Sequence, residues 1–139
     1  MKVREAMTPE AQWVSPDLTL QEVAKQMRDK NIGALPVGEN DRLIGMVTDR
    51  DICCRAVADG RDPAKTRVRD VMSQKITFCF DDQELPDAAH VMEEKHIRRL
   101  AVLNRNKRIV GMLSVSDMAS HGQQELAGEV LEKVVPHIA

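Results

Sequence analysis

The stretch Gly45-Met46-Val47-Thr48-Asp49-Arg50-Asp51 occurs a second time in the chain, as Gly111-Met112-Leu113-Ser114-Val115-Ser116-Asp117. Each copy has a glycine, two apolar residues, a hydroxyl residue and, three positions later, an aspartate. A glycine before two apolar residues is typical of a strand that leaves a turn. A hydroxyl residue followed three positions later by an acid is typical of a helix start. We therefore predict a strand, a hydroxyl residue and a helix, twice over.

The two stretches belong to a longer internal repeat. When the chain is aligned with itself at a shift of 65 residues, Val3 and Met7 match Val68 and Met72. One inserted residue near Asn106 changes the shift to 66. Matching residues keep their order from one end of each copy to the other, which chance similarity would not produce.

Each copy shows the same succession of patterns. A short apolar run predicts a first strand, and an apolar stripe at helical spacing predicts an amphipathic helix after it. Two more apolar runs with a polar turn between them predict an antiparallel hairpin. The candidate first strands are 11–14 and 76–79, and the residues expected to begin the helices are Ser15-Pro16-Asp17 and Asp81-Asp82.

This organisation predicts an α+β protein with two βαββα repeats packed about a pseudo-twofold axis. A copy this small can hardly bury its sheet face alone, so two copies are expected to cover each other. The tail carries apolar residues at roughly helical spacing, which predicts an additional amphipathic helix that packs on the pair or on a partner chain. The expected divisions are 1–60 for repeat 1, 61–67 for a linker, 68–121 for repeat 2 and 122–139 for the C-terminal helix.

Composition limits the function classes. The 139 residues carry a formal net charge of −2, which favours neither nucleic acid nor a membrane surface as a partner. No apolar run approaches the ~20 residues that span a bilayer, and the first residues lack the apolar run of a signal peptide, so we expect a cytoplasmic protein. The three cysteines, Cys53, Cys54 and Cys79, do not have the spacing of a metal site, and the histidines do not have it either. Without a paired nucleophile and base or a phosphate-cradling glycine-rich loop, we expect no catalysis and no metal.

The ordered set of motifs resembles the CBS domain pair, also called a Bateman module. Val-Arg-x-x-Met-Thr/Ser opens each copy, and the segments 32–37 and 96–102 and the two Gly-x-x-Thr/Ser-x-x-Asp stretches complete the resemblance over about residues 1–120. The resemblance implies clefts that bind AMP, ADP, ATP, S-adenosylmethionine or a dinucleotide such as NAD as regulatory ligands. It also implies homodimers in which two pairs form a flat disk, and regulation of another protein that the sequence does not identify.

The chemistry of an adenine nucleotide suits the repeated stretch. One carboxylate can accept hydrogen bonds from both ribose hydroxyls, as Asp51 and Asp117 would. Phosphate favours hydroxyls, backbone N–H groups at a helix start, and arginine or lysine. Thr48, Ser114 and Ser116 are the hydroxyl residues at the two helix starts.

The resemblance implies that each cleft is built across the two copies. One cleft would combine Ser114, Ser116 and Asp117 with Thr8, Gln12, Ile32 and Gly33. The other would combine Thr48, Arg50 and Asp51 with Ser73, Thr77, Ile97 and Arg98. Arg98 and Arg99 stand where the family often has phosphate-binding residues, whereas the first copy has Gly33 and Ala34 there. The two clefts are therefore expected to differ.

Other interpretations of the same residues stay open. The two hydroxyl-x-x-aspartate patterns are also capping boxes, which stabilise a helix end by about 1 kcal/mol each, and Arg98 and Arg99 are also compatible with a solvated surface. A second hypothesis for the whole chain is a structural interaction protein. Its clefts would be vestigial, and it would dimerise through helix faces and the tail helix.

Overall fold

The structure, a computed structural model, describes residues 1–9 and 13–134. It confirms the predicted mixture of helices and strands. The strands are β1 (Thr8–Pro9), β2 (Ala34–Glu39), β3 (Arg42–Thr48), β4 (Phe78–Phe80), β5 (Arg99–Leu103) and β6 (Ile109–Ser114). The helices are α1 (Val3–Ala6), α2 (Leu20–Lys30), α3 (Asp49–Ile52, continued by a π-helical turn, Cys53–Val57), α4 (Leu85–Lys95), α5 (Val115–Ser120) and α6 (Gln124–Val134).

The long helices α2 and α4 begin later than their predicted starts. The residue before α2 is Thr19, whose hydroxyl accepts the N–H of Glu22 at 3.2 Å, while Ser15-Pro16-Asp17 lies in a turn before it. α4 starts after Glu84, whose side chain makes no cap, and Asp81-Asp82 lies in the turn before it. The predicted starts were wrong because the helices begin where the apolar stripe first reaches the core, at the fully buried first residue of each helix.

Both hairpins are confirmed, and they have equivalent registers. β2 pairs antiparallel with β3, with Val37 opposite Gly45, and β5 pairs antiparallel with β6, with Val102 opposite Gly111. Each ladder has an irregularity directly after that valine. The repeat in sequence is therefore also a repeat in strand register.

The first strands of the two copies differ in extent. β4 starts two residues after the predicted run 76–79 begins, and it pairs parallel with β5, with Cys79 opposite Val102. In the first copy, part of the run 11–14 lies outside the described residues. Val14 makes a single parallel bridge to Val37, the equivalent of the Cys79–Val102 pair.

The described residues form two compact units. One, the first-repeat unit, lies within Gln12–Ile76. The other, the second-repeat unit, lies within Met1–Ala11 and Thr77–Ala139. The units differ from the sequence repeats, because each opening segment belongs to the unit that holds the other copy's hairpin.

Backbone pairing carries this exchange. In the second-repeat unit, β1 pairs antiparallel with β6, with Thr8 opposite Met112. In the first-repeat unit, Ser73 exchanges two backbone hydrogen bonds with Met46 of β3, at 3.0 and 2.8 Å. Each opening segment therefore covers an edge strand whose N–H and C=O groups would otherwise lack a ladder partner.

Each unit has its own aliphatic core. In the first-repeat unit the buried side chains come mainly from α2, β2 and β3, and in the second-repeat unit from α4, β5, β6 and α6. Cys79 is part of the second core, and its burial raises the pKa of the thiol to about 12, with a smaller contribution from the negative charge of Asp81. Cys53 and Cys54 are exposed.

The predicted tail helix is present as α6. Ala127, Val130 and Val134 form its buried stripe, and the helix packs on α4 and α5 within the second-repeat unit. Ile138, which belongs to the predicted stripe, lies outside the described residues. Among the described helices, none combines the length and the apolar character that crossing a membrane requires.

Candidate functional site

The repeated stretch forms the same two-way cap at both helix starts. In the first copy, Thr48 N–H donates to Asp51 Oδ2 and Asp51 N–H donates to Thr48 Oγ1, both at 3.0 Å. In the second copy, Ser114 and Asp117 make the corresponding bonds at 2.9 and 3.0 Å. The capping interpretation is therefore confirmed, and it uses only one oxygen of each carboxylate.

The second carboxylate oxygen has different surroundings in the two copies. Asp51 Oδ1 lies 3.8 Å from Arg55 Nε, one turn further along the helix. Asp117 Oδ1 accepts a hydrogen bond from Thr8 Oγ1 at 3.3 Å. The fold thus brings Thr8 and Asp117 together from opposite ends of the chain, through the pairing of β1 with β6. Arg55 is a neighbour that the sequence pattern did not single out.

In each copy the residue before the hairpin accepts a backbone bond from the first residue of the helix after it, and the charges of these two residues differ between the copies. Asp49 N–H donates to Gly33 O at 2.9 Å, and Val115 N–H donates to Arg98 O at 3.1 Å. A methyl group added at Gly33 would lie 2.8 Å from Asp49 Oδ2, so this carboxylate occupies the space beside the glycine. The first copy therefore has an acid where the second has valine, and a glycine where the second has arginine.

A cavity of about 190 Å³ lies beside the second of these backbone bonds. Arg98 and Arg99 precede and begin β5, and Ser114 and Ser116 lie at the junction of β6 with α5. Apolar atoms complete the wall. The lining residues are Arg98, Arg99, Ser114, Val115, Ser116, Ala119, Ala127 and Leu131.

This cavity unites four residues predicted from the sequence. Its volume is below the roughly 300 Å³ at which ligand pockets usually start, so it can hold the phosphate end of a nucleotide but not the whole molecule. Ser114 Oγ accepts from Asp117 N–H, which leaves its hydroxyl hydrogen for another acceptor. Sequence reasoning missed the α6 residues Ala127 and Leu131, whose only signal was the apolar pattern of the tail.

Other predicted residues lie near their own copy's motif or apart from it. Arg50 is exposed, and its N–H donates to Asp49 Oδ1 at 2.8 Å. Ile32 is 38% exposed, whereas Ile97 packs against the core of the second-repeat unit. Thr77 is partly buried, and Gln12 lies outside the described residues.

The cross-copy pairings other than Thr8 with Asp117 remain predictions. They are the pairing of Ile32 and Gly33 with the Asp117 motif, and that of Thr77, Ile97 and Arg98 with the Thr48 motif, although Arg98 also lines the cavity with Ser114 and Ser116. Each of them joins residues of the two units.

Within residues 1–9 and 13–134, no three His, Cys, Asp or Glu side chains form a group that could hold a metal ion.

The model of the CBS domain family matches the chain twice, over residues 3–56 and 68–123. The CBS domain-containing protein YhcV of Bacillus subtilis is 39% identical over 133 residues, which cover 95% of this chain and 94% of that protein. The crystal structure of Hypoxic Response Protein I with two coordinated zinc ions is 34% identical, with a TM-score of 0.80 and coverage of 87% of this chain and 98% of that one.

A second similar structure contains a nucleotide. CBSX2 in complex with AMP is 24% identical, with a TM-score of 0.74, and the match covers 89% of this chain and 97% of that one. At this identity the likeness shows a common fold. The family model matches two domains, the two hairpins have equivalent registers, and the similarity to YhcV covers 95% of this chain and 94% of that protein. The chain therefore belongs to the CBS domain family and carries two CBS domains.

Proposed function

We propose that this protein is a regulatory module that binds an adenine nucleotide and passes the binding event on to another protein. The observation that carries the proposal is the cavity in the second-repeat unit, which Arg98, Arg99, Ser114 and Ser116 line at the helix start that Ser114 and Asp117 cap. AMP in the CBSX2 structure agrees with this class of ligand. S-adenosylmethionine and 5′-methylthioadenosine, which the domain pair of MJ0100 binds, belong to the same adenosine class.

The phosphate is expected to bind at Arg98 and Arg99. Neither arginine has a carboxylate within 4.0 Å among the described residues. A guanidinium group without an ion-pair partner keeps all its N–H donors for a phosphate, and it can bind the oxygens in a bidentate manner. Ser114 and Ser116 add neutral donors on the neighbouring side.

The ribose is expected to bind at Asp117 Oδ1. Oδ2 is occupied by the cap, while Oδ1 accepts a single bond of 3.3 Å from Thr8. A carboxylate oxygen has room for a second donor, so a ribose hydroxyl can share or replace the contact with Thr8. The cap holds the carboxylate in place before the ligand arrives.

The first copy is expected to disfavour phosphate. Asp49 places a carboxylate beside Gly33, at the position equivalent to Arg98, and like charges at short distance repel. A nucleotide phosphate should therefore bind at the second copy first. The first copy is better suited to an adenosine derivative without phosphate.

We further propose a cytoplasmic, non-catalytic homodimer. These properties follow from the family resemblance and from the composition. The partner that the module regulates is expected to be another protein. Size-exclusion chromatography with light scattering tests the dimer, and release of adenosine, phosphate or pyrophosphate by purified protein would contradict the non-catalytic role.

Calorimetric titration with AMP, ADP, ATP, NAD and S-adenosylmethionine tests the nucleotide proposal. Arg98→Ala and Arg99→Ala should each weaken AMP binding by about 10-fold, because a charge-assisted hydrogen bond contributes about 1.5 kcal/mol. Adenosine affinity should not change in these variants. Arg28→Ala removes another exposed arginine, on α2, and serves as the control.

Asp117→Asn tests the ribose contact, because asparagine keeps an oxygen for the cap but loses the charge. AMP and adenosine should then weaken together. If none of the five ligands binds to the wild-type protein, the proposal is wrong.

Both hydroxyl-x-x-aspartate patterns form complete capping boxes within the chain, a structural role that favours the second hypothesis, a structural interaction protein. In that case a variant with Asp51→Asn and Asp117→Asn would keep full activity in cells, whereas a nucleotide sensor would lose its response.

A further inference from the structure

The C-terminal helix α6 is anchored in the core and also reaches the cavity. Ala127, Val130 and Val134 are 3%, 0% and 0% exposed, so one stripe of the helix is fixed against α4 and α5. Leu131 is 37% exposed and lines the cavity together with Ala127. Residues four apart share a helix face, so the pair forms a ridge along the edge of the buried stripe.

The ridge gives the cavity two walls of different chemistry. Arg98, Arg99, Ser114 and Ser116 provide charge and hydroxyl donors, whereas Ala127 and Leu131 provide methyl groups. A free inorganic anion would leave the apolar wall unused. A phosphate ester, which joins a charged group to carbon atoms, can contact both walls.

We infer that α6 is the element of this protein that senses the ligand: a phosphate ester bound by the arginines and serines packs its carbon atoms against Ala127 and Leu131. This inference rests on the proposed function and adds to it the helix that responds. Because the ligand contacts α6 and β5 together, its binding opposes local opening of α6 from α4 and α5. Occupancy of the cavity is thus transmitted to the C-terminal helix.

Hydrogen–deuterium exchange of the full-length protein, combined with calorimetry, tests the inference with AMP as the probe and adenosine as the uncharged comparison. Saturating AMP should slow exchange of α6 amides several-fold, and adenosine should slow it less. Leu131→Ala should weaken AMP binding by roughly 3-fold, since part of an apolar contact is lost, and any loss of stability should be moderate because Leu131 is 37% exposed.

Leu126→Ala is the matched control. Leu126 lies on the same helix and packs against the core but does not line the cavity, so its truncation should lower the thermal stability and leave AMP affinity unchanged. AMP binding that depends on Arg98 and Asp117 but leaves α6 exchange and the Leu131→Ala affinity unaltered would overturn the inference and leave the proposed function intact. Failure of every adenine ligand to bind the wild-type protein would overturn both.

Discussion

Replacing Gly111 by alanine should destabilise the protein, because the space for a side chain is already filled by the exchanged opening segment. A methyl group at this position would lie 2.7 Å from Thr8 O and 2.7 Å from Met7 Sδ. Real contacts of a Cβ atom are essentially never shorter than 3.0 Å. The thioether of Met7 can rotate away, but the carbonyl of Thr8 is part of the β1–β6 ladder.

The expected size of the effect follows from two opposing terms. Overpacking in a fitted core costs about 1–3 kcal/mol, and removing a glycine from a strand returns about 0.5–1 kcal/mol of backbone entropy. The net loss in the free energy of unfolding is therefore about 1 kcal/mol at the middle of a range of roughly 0–2.5 kcal/mol, which corresponds to a decrease in Tm of about 4 °C. Gly45→Ala should behave in the same way, because its methyl group would lie 2.6 Å from Ser73 O.

Urea denaturation followed by circular dichroism measures both variants. Gly128→Ala is the control, because nothing lies within 4 Å of a methyl group there and alanine favours the interior of α6 by about 0.5–1 kcal/mol. Met7→Ala combined with Gly111→Ala should restore only a small part of the loss. If Gly111→Ala is as stable as the wild-type protein while Gly128→Ala is stabilised, the opening segment does not pack on this glycine as described.

Three further predictions concern caps, helix ends and the buried thiol. Thr48→Ala and Ser114→Ala should each lower the free energy of unfolding by about 1 kcal/mol, as measured by urea denaturation, and Ser114→Thr should change it little; an unchanged Ser114→Ala variant would contradict the observed cap. Asn31 and His96 end α2 and α4 with φ values of 53° and 55°, so at both positions glycine should be more stable than alanine by about 1 kcal/mol in thermal unfolding; the reverse order would argue against the left-handed backbone. Burial raises the pKa of the Cys79 thiol to about 12 from a reference of 9.0. Between these two pH values the unfolded chain loses the thiol proton and the folded chain keeps it, so the free energy of unfolding should be unaffected by this thiol below pH 9 and should fall as the pH rises toward 12, by up to about 1.4 kcal/mol per pH unit. Cys79→Val should flatten this dependence in alkaline urea titrations, and a thiol reagent at pH 8 should modify two cysteines quickly and the third only after unfolding.

The predictable part of the fold is the part that local sequence encodes. Apolar stripes at helical spacing placed α2 and α4, and apolar runs separated by polar turns placed both hairpins, because these patterns need only neighbouring residues to be read. The helix starts at Thr19 and Glu84 were missed. Several residues before each stripe had suitable capping chemistry, and burial of the first helical leucine decided among them.

The candidate site was predictable to a similar degree. The caps of Asp51 and Asp117 follow from four consecutive residues, so their geometry could be foreseen from spacing alone. The contact of Asp117 with Thr8 was implied only by the family resemblance, since the two residues are far apart in sequence. The positions of Asp49 beside Gly33 and of Leu131 in the cavity wall had no signal that spacing could reveal.

The sequence by itself determined that the chain is a doubled unit with the same helices, hairpins and capped helix starts in each copy. Hydrogen bonds within a turn and the period of apolar residues are local, so each copy specifies them independently. Only the tertiary structure decided that β1 pairs with β6 and that Ser73 bonds to Met46. Gly45 and Gly111 lie at equivalent positions of β3 and β6, and an opening segment approaches each of them closely, so the local sequence does not specify which segment covers which strand. The choice between them depends on the packing of the whole chain, and that choice places Thr8 at Asp117.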